Sequence, residues 1–137
     1  MEVQQQQGVP RPASLNQALG TVRESSNHHQ AAQRRRHVTQ RGQTHPPMVF
    51  AHGFGCDQQM WRFVAPAFEA SHRVVLFDHI GCGKSDLSAY DTQRHSRLEG
   101  YADDVVALLD ALDLRDVVFV AHSVSAMIGV LASIARP

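Results

Sequence analysis

Three short runs of the chain are apolar at nearly every position, without the alternation of polar and apolar residues that is typical of a half-exposed strand. They lie at residues 48–51, 73–78 and 117–121. Strands that are buried on both faces, as in parallel sheets, have this continuous pattern. The pattern therefore predicts three parallel strands.

Three further segments carry apolar residues at helical spacing. Residues 57–69 do so up to a predicted break at Pro66, and residues 124–135 form a run rich in small side chains. Residues 96–112 show the clearest pattern, since they begin with the Ser-x-x-Glu spacing of a capping box. Strands and helices in this order predict an α/β fold, with a sheet of three parallel strands flanked by helices on both faces.

The first 45 residues differ in composition from the rest of the chain. They contain nine Gln and six Arg but no Phe, Trp or Tyr, and their formal charge is +4, whereas residues 46–137 carry −4. A segment with so little apolar surface cannot offset the conformational entropy that its chain would lose on folding. Residues 1–45 are therefore predicted to be a disordered basic leader ahead of a domain at 46–137. A transit peptide and a nucleic-acid arm are alternatives, but no amphipathic face is evident, and no nucleic-acid partner is expected. No apolar run fits a secretory signal or the ~20 residues of a membrane span, so no membrane partner is expected.

Cofactor and metal motifs are absent from the sequence. Cys56 and Cys82 form neither a CxxC pair nor a zinc spacing, and they are predicted to be free thiols in a reducing, cytoplasmic compartment. The histidines show no metal pattern, so neither a metal nor a cofactor is expected. The glycine-rich turns at 53–55 and 81–83 also lack nucleotide-binding spacing. The positions that would need a further glycine hold Asp78, Asp86 and Gln58.

Ser123 stands where the third predicted strand meets a predicted helix, at the sheet edge where parallel α/β folds bind ligands. Its flanks, Ala121 and Ser125, are small, as the strained turn of a nucleophile elbow requires. A serine at a helix N-terminus is often only a cap, so its surroundings decide its role. The backbone N–H groups of Val124 and Phe54 are the candidate donors of an oxyanion hole, and both residues are candidate substrate contacts.

Four segments resemble the RsbQ-type α/β-hydrolases, which include the bacterial sigma-factor regulator RsbQ and the plant karrikin and strigolactone receptors. The segments are FAHGFGCDQ (50–58), RVVLFD (73–78), GKSDLSAYD (83–91) and VFVAHSVSAMIG (118–129). The resemblance covers about residues 47–137, and residues 37–43 resemble a remnant of the family's first hairpin. The chain departs from the family at Ala121, where glycine is usual, and at His79 and Cys82, where an aromatic residue and serine are common.

The resemblance implies a serine hydrolase with a Ser–Asp–His triad. Ser123 would be the nucleophile, and the N–H groups of Phe54 and Val124 would form the oxyanion hole. The ligand implied is a small, fairly apolar ester or lactone held under a helical lid. A role in signalling or stress regulation, with a regulatory protein as partner, is also implied.

The other two members of such a triad are missing after the serine. Residues 124–137 contain no Asp, Glu or His, although both triad partners follow the nucleophile in this fold. The sequence therefore predicts the front half of a hydrolase, with the lid and later strands absent and any triad Asp and His beyond Pro137. An upstream base, His52 or His79, would need hydrogen-bond reach and an orienting acid. A serine hydrolase and a non-catalytic binding or regulatory remnant, or an inactive gene fragment, stay open as alternatives.

Overall fold

Four strands form one mixed sheet in the computed structural model, which describes residues 36–43 and 45–137. The strands are β1 (Val38–Arg41), β2 (Pro47–Ala51), β3 (Arg73–Phe77) and β4 (Val118–Ala121). Their spatial order is β1-β3-β2-β4. Strand β2 pairs in parallel with both β3 and β4, which confirms the three predicted parallel strands.

Strand β1 was not among the three strands predicted from the apolar pattern, and it makes the sheet mixed. It lies within residues 37–43, where the resemblance implied a remnant of the family's first hairpin. It pairs antiparallel with β3, from Val38 opposite Phe77 to Arg41 opposite Val74. It lies inside the range 1–45 assigned to the leader, so the sheet begins ahead of residue 46. Residues 1–35 of that leader lie outside the described residues.

Two α-helices cover one face of the sheet. They are α1 (Leu98–Ala111) and α2 (Val124–Ala135). Side chains from alternate positions of β2 and β3 point to this face and are buried against the helices. The fully buried members of this core include Val49, Val75, Phe77, Val105, Leu108 and Ile128.

The opposite face is covered by 3-10 turns rather than by the helix predicted over 57–69. The turns are Gln58–Trp61 and Ala65–Phe68. Pro66 has no N–H to donate and its ring obstructs the preceding turn, so one continuous α-helix cannot run through this segment. Phe50, from β2, packs against the rings of Trp61 and Phe68 at centroid distances of 5.2 and 6.0 Å.

Helix α1 begins two residues later than the sequence predicted. The Ser96 hydroxyl donates to the carbonyl of Gln93 at 2.7 Å, so the predicted capping box is wrong. Asp104, on α1, is buried. It forms ion pairs with Arg36 and Arg94 at 2.8 and 2.7 Å and accepts a hydrogen bond from Nε2 of His95 at 3.0 Å. These contacts join the segment before β1 to the helix.

Candidate active site

Ser123 occupies a strained turn between the end of β4 and the first residue of α2. Its backbone has φ 57° and ψ −126°, in the left-handed half of conformational space that non-glycine residues rarely enter. Such a conformation costs about 1–3 kcal/mol and persists only where the surroundings enforce it. The Ser123 residue is exposed, so the turn holds its hydroxyl out at the carboxyl edge of the sheet.

The loop after β2 approaches this turn so closely that only glycine fits at position 53. A Cβ atom on Gly53 would lie 2.5 Å from Nδ1 of His122 and 3.2 Å from Cβ of Ser123. The N–H of His122 donates to the carbonyl of Ala51 at 3.1 Å, which extends the pairing of β2 and β4 up to the turn.

Both candidate oxyanion donors adjoin this contact. Phe54 follows Gly53, and Val124 follows Ser123 as the first residue of α2. Within residues 36–43 and 45–137, neither N–H has a hydrogen-bond partner. A helix N-terminus leaves its first N–H groups free for a ligand, so the N–H of Val124 is available to an anionic oxygen. The Phe54 side chain is 92% exposed beside it.

A buried polar network lies directly beneath the turn. Ser125 in the first turn of α2 donates its hydroxyl hydrogen to the carbonyl of His52, and its oxygen contacts Nε2 of His79 at 2.8 Å. The backbone N–H of His79 donates to Nε2 of His52 at 3.1 Å. The network therefore links the ends of β2 and β3 to the start of α2.

The network also fixes the protonation of both imidazoles. Nε2 of His52 accepts a hydrogen bond, so Nδ1 carries the proton and donates to the carbonyl of Gly53 at 2.9 Å. Because Ser125 gives its own hydrogen to a carbonyl, Nε2 of His79 must be the donor to that hydroxyl. Burial, and then the neighbouring His52, lower the pKa of His79 from 6.5 to about 4, so this ring is neutral at pH 7.

Neither upstream histidine hydrogen-bonds to the Ser123 hydroxyl in the described part of the chain. Both ring nitrogens of His52 are engaged elsewhere, and the ring of His79 is buried and bonded to Ser125. Among the described residues, the Ser123 hydroxyl has no hydrogen-bond partner. The described part of the chain thus presents a candidate nucleophile and candidate oxyanion donors without a base hydrogen-bonded to that serine.

Asp78, directly after β3, organises the neighbouring loop. Its carboxylate accepts hydrogen bonds from the N–H groups of Gln58 and Lys84 at 2.7 and 2.9 Å and from the ring of His37 at 3.0 Å. Burial acts to raise the pKa of Asp78, but these bonds outweigh it, so the pKa lies below its usual value. A Cβ on Gly83 would lie 2.3 Å from this carboxylate, and its φ is +54°.

The roles of Ser125, His79 and Asp78 are not evident from the sequence. Ser125 is recognisable only as a small residue beside the candidate nucleophile. Its contact with His79 joins residues 46 positions apart, and no local spacing signals it. The available signal is position: Asp78 and His79 directly follow β3, and Ser125 lies in the first turn of the helix after β4, so all three belong to one sheet edge.

Residues 36–43 and 45–137 hold neither a membrane-spanning helix nor a metal site. No helix there is both long and apolar enough to cross a bilayer. No group of three or more His, Cys, Asp or Glu side chains is arranged to hold a metal ion.

Comparison with known proteins gives a family match to most of the described chain. The profile of the α/β hydrolase fold matches residues 46–137. A solved structure, that of a hydrolase from Oleispira antarctica, superposes with a TM-score of 0.76 at 44% identity. The matched region covers 79% of this chain and 40% of the chain of that hydrolase.

Curated plant proteins match the same part of the chain. A karrikin insensitive 2 receptor of Petunia hybrida is 49% identical over 90 residues, which is 66% of this chain and 33% of the relative. A strigolactone esterase of Pisum sativum is 44% identical over 90 residues, 66% of this chain and 34% of the relative. The chain spans about one third of the length of these curated relatives.

Proposed function

Since this chain belongs to the α/β-hydrolase fold family, we propose that it carries the nucleophile and the oxyanion hole of a serine hydrolase. Ser123 is the nucleophile, and the backbone N–H groups of Phe54 and Val124 form the hole. The observation that carries the proposal is the backbone of Ser123, at φ 57° and ψ −126° on an exposed strand-to-helix turn. A strained serine with its hydroxyl exposed is the geometry that this chemistry needs.

The reaction proposed is acyl transfer from an ester. The Oγ of Ser123 bonds to the carbonyl carbon while its proton passes to a base, and the carbonyl oxygen becomes an oxyanion. The N–H groups of Phe54 and Val124 donate to that oxygen. The C–O bond to the leaving alcohol then breaks, the alcohol takes up the proton, and water later releases the acid from Ser123.

The base and its orienting acid belong to the complete enzyme. In this fold an Asp or Glu and then a His follow the nucleophile in the chain. Residues 124–137 contain none of these, so the given chain supplies neither partner in the order usual for this fold. An oxyanion hole without the full triad still accelerates acyl transfer by roughly 10³-fold over water.

The substrate proposed is a small, fairly apolar ester or lactone. The exposed ring of Phe54 adjoins the oxyanion donors and supplies an apolar contact for such a molecule. The relative named a strigolactone esterase supports this class, and the hydrolase of known structure supports a hydrolytic reaction. The two free cysteines favour a reducing, cytoplasmic location, and a signalling role would bring a regulatory protein partner.

A second candidate function is ligand binding without turnover. It is favoured by the lack of a base for the Ser123 hydroxyl among the described residues. The Petunia relative is named a receptor, which fits this alternative. On this alternative, a Ser123→Ala variant binds a lactone ligand as tightly as the original chain, because the hydroxyl forms no bond to it.

Acylation by an activated ester tests the serine hydrolase proposal. We expect p-nitrophenyl acetate to place one acetyl group on Ser123, detected by intact mass and peptide mapping. Ser123→Ala should lose this group. Ser133→Ala is the matched control, since Ser133 lies exposed on the same helix and its hydroxyl donates only to the carbonyl of Val130. Equal labelling of the two variants would contradict the proposal.

A further inference from the structure

Two turns at the carboxyl edge of the sheet repeat one another. In the first cysteine turn (residues 53–56), the N–H of Cys56 donates to the carbonyl of Gly53 at 3.2 Å. In the second cysteine turn (residues 79–82), the N–H of Cys82 donates to the carbonyl of His79 at 2.9 Å. Each turn has glycine in the left-handed region at its third position, with φ 71° and 83°. The two backbones therefore follow the same path and end in the same residue type.

The strand register brings the two cysteines to equivalent positions. Strands β2 and β3 are parallel neighbours, and Ala51 lies opposite Phe77 at their ends. Cys56 and Cys82 each follow five residues after these strand ends, at equivalent positions of the two turns. Neighbouring strands lie about 4.8 Å apart. A disulfide needs Cα atoms about 4.4–6.8 Å apart, so two turns that keep the spacing of their strands can be bridged.

Hydrogen bonds keep the two turns together beyond the ends of the strands. On one side, the N–H of His79 donates to Nε2 of His52 at 3.1 Å. On the other side, the Asp78 carboxylate accepts hydrogen bonds from the N–H groups of Gln58 and Lys84 at 2.7 and 2.9 Å. The residues that these bonds join therefore lie before and after the cysteine in both segments. The turns are thus held side by side and do not diverge.

The thiols themselves are free and half-buried. Burial raises the pKa of Cys82, and the negative charges of Asp78 and of a Cys56 thiolate raise it further. An effect of Cys56 on Cys82 agrees with the placement given by the register. A thiol with a raised pKa is mostly protonated at neutral pH, so its oxidation accelerates as the pH increases.

We propose that Cys56 and Cys82 form a dithiol modification site that closes to an intramolecular disulfide by exchange with a low-molecular-weight disulfide. One thiolate attacks that disulfide, forms a mixed disulfide and releases one small thiol. The second protein thiolate then attacks the protein-bound sulfur and releases the other small thiol. The two cysteines lose two hydrogens and two electrons, and the reagent gains them as two thiols. The bond ties the loop that carries Phe54 to the loop after β3.

Equilibration with reduced and oxidised glutathione tests this proposal in the 137-residue chain. Acid-quenched samples are analysed by intact mass, once in native buffer and once in urea. The equilibrium with glutathione gives the effective concentration of one protein thiol near the other. We expect this effective concentration to be at least ~100-fold higher in native buffer than in urea, because only the fold juxtaposes the thiols. Cys56→Ser and Cys82→Ser should each take up a single glutathione instead.

Three results would overturn the proposal. One is an equal effective concentration in native buffer and in urea. The others are two glutathione adducts on the folded chain, and disulfide-linked dimers as the main product. The test uses no substrate, so its outcome is independent of whether Ser123 is a nucleophile.

Discussion

Replacing Ser125 with alanine should destabilise the fold far more than the loss of one hydroxyl from a helix surface. Ser125 and His52 are fully buried, and His79 is 6% exposed. The substitution leaves two buried groups without their partner, namely the carbonyl of His52 and the Nε2–H of His79. A buried polar group left unsatisfied costs about 1–3 kcal/mol, so the expected loss is about 2–4 kcal/mol of the free energy of unfolding.

Urea denaturation followed by far-UV circular dichroism measures this loss. The control is Ser133→Ala, which removes the same hydroxyl from an exposed position of the same helix and should change stability by less than about 0.5 kcal/mol. Equal midpoints for the two variants would refute the role assigned to the buried network. If Ser125→Ala is too unstable to measure, adding His79→Phe should restore part of the loss, since the orphaned Nε2–H is then gone.

Three further predictions concern the same edge of the sheet. The pKa of His79 in the fold (about 4) lies below 6.5, so the stability that neutral His79 contributes is complete above pH 6.5. It is lost as the pH falls toward 4, by about 3 kcal/mol in all. His79→Gln should flatten the dependence of the unfolding free energy on pH over that window, and an unchanged slope would contradict the assignment. Gly53→Ala should slow acetylation of Ser123 at least ~10-fold, because the new Cβ displaces the turn; an unchanged rate would count against the close approach. Gly83→Ala should lower the free energy of unfolding, measured by urea denaturation, by more than about 2 kcal/mol. Gly55→Ala should lower it by about 1 kcal/mol, because Gly55 has a left-handed φ but no atom within 4 Å of the added Cβ. Equal losses would show that the contact with the Asp78 carboxylate is unimportant.

The central strands were predictable because burial on both faces leaves a continuous apolar pattern. The apolar pattern did not predict strand β1, since it lies at the sheet edge and its residues Gln40 and Arg41 are exposed; only the family resemblance at residues 37–43 pointed to it. Its place depends on backbone pairing with β3, which does not select side-chain polarity. The prediction of a helix over 57–69 was wrong because apolar spacing does not distinguish an α-helix from successive 3-10 turns.

The candidate site was predictable only where a single local turn defines it. Ser123 and Val124 belong to one strand-to-helix junction, and Gly53 marks the loop that meets it. The hydrogen bond between His79 and Ser125 depends on the arrangement of three separate segments. Such contacts follow from the assembled sheet and not from any short stretch of sequence.

The central claim is that Ser123 and the N–H groups of Phe54 and Val124 act on one oxygen atom. Amide NMR spectra, recorded before and after Ser123 is phosphonylated by a fluorophosphonate, test it directly. We predict that the amide protons of Phe54 and Val124 both move downfield as they bond to the phosphonyl oxygen, while that of Cys56, already bonded to Gly53, stays in place. An adduct on Ser123 that leaves both amides unmoved, or an adduct on another residue, would contradict the account.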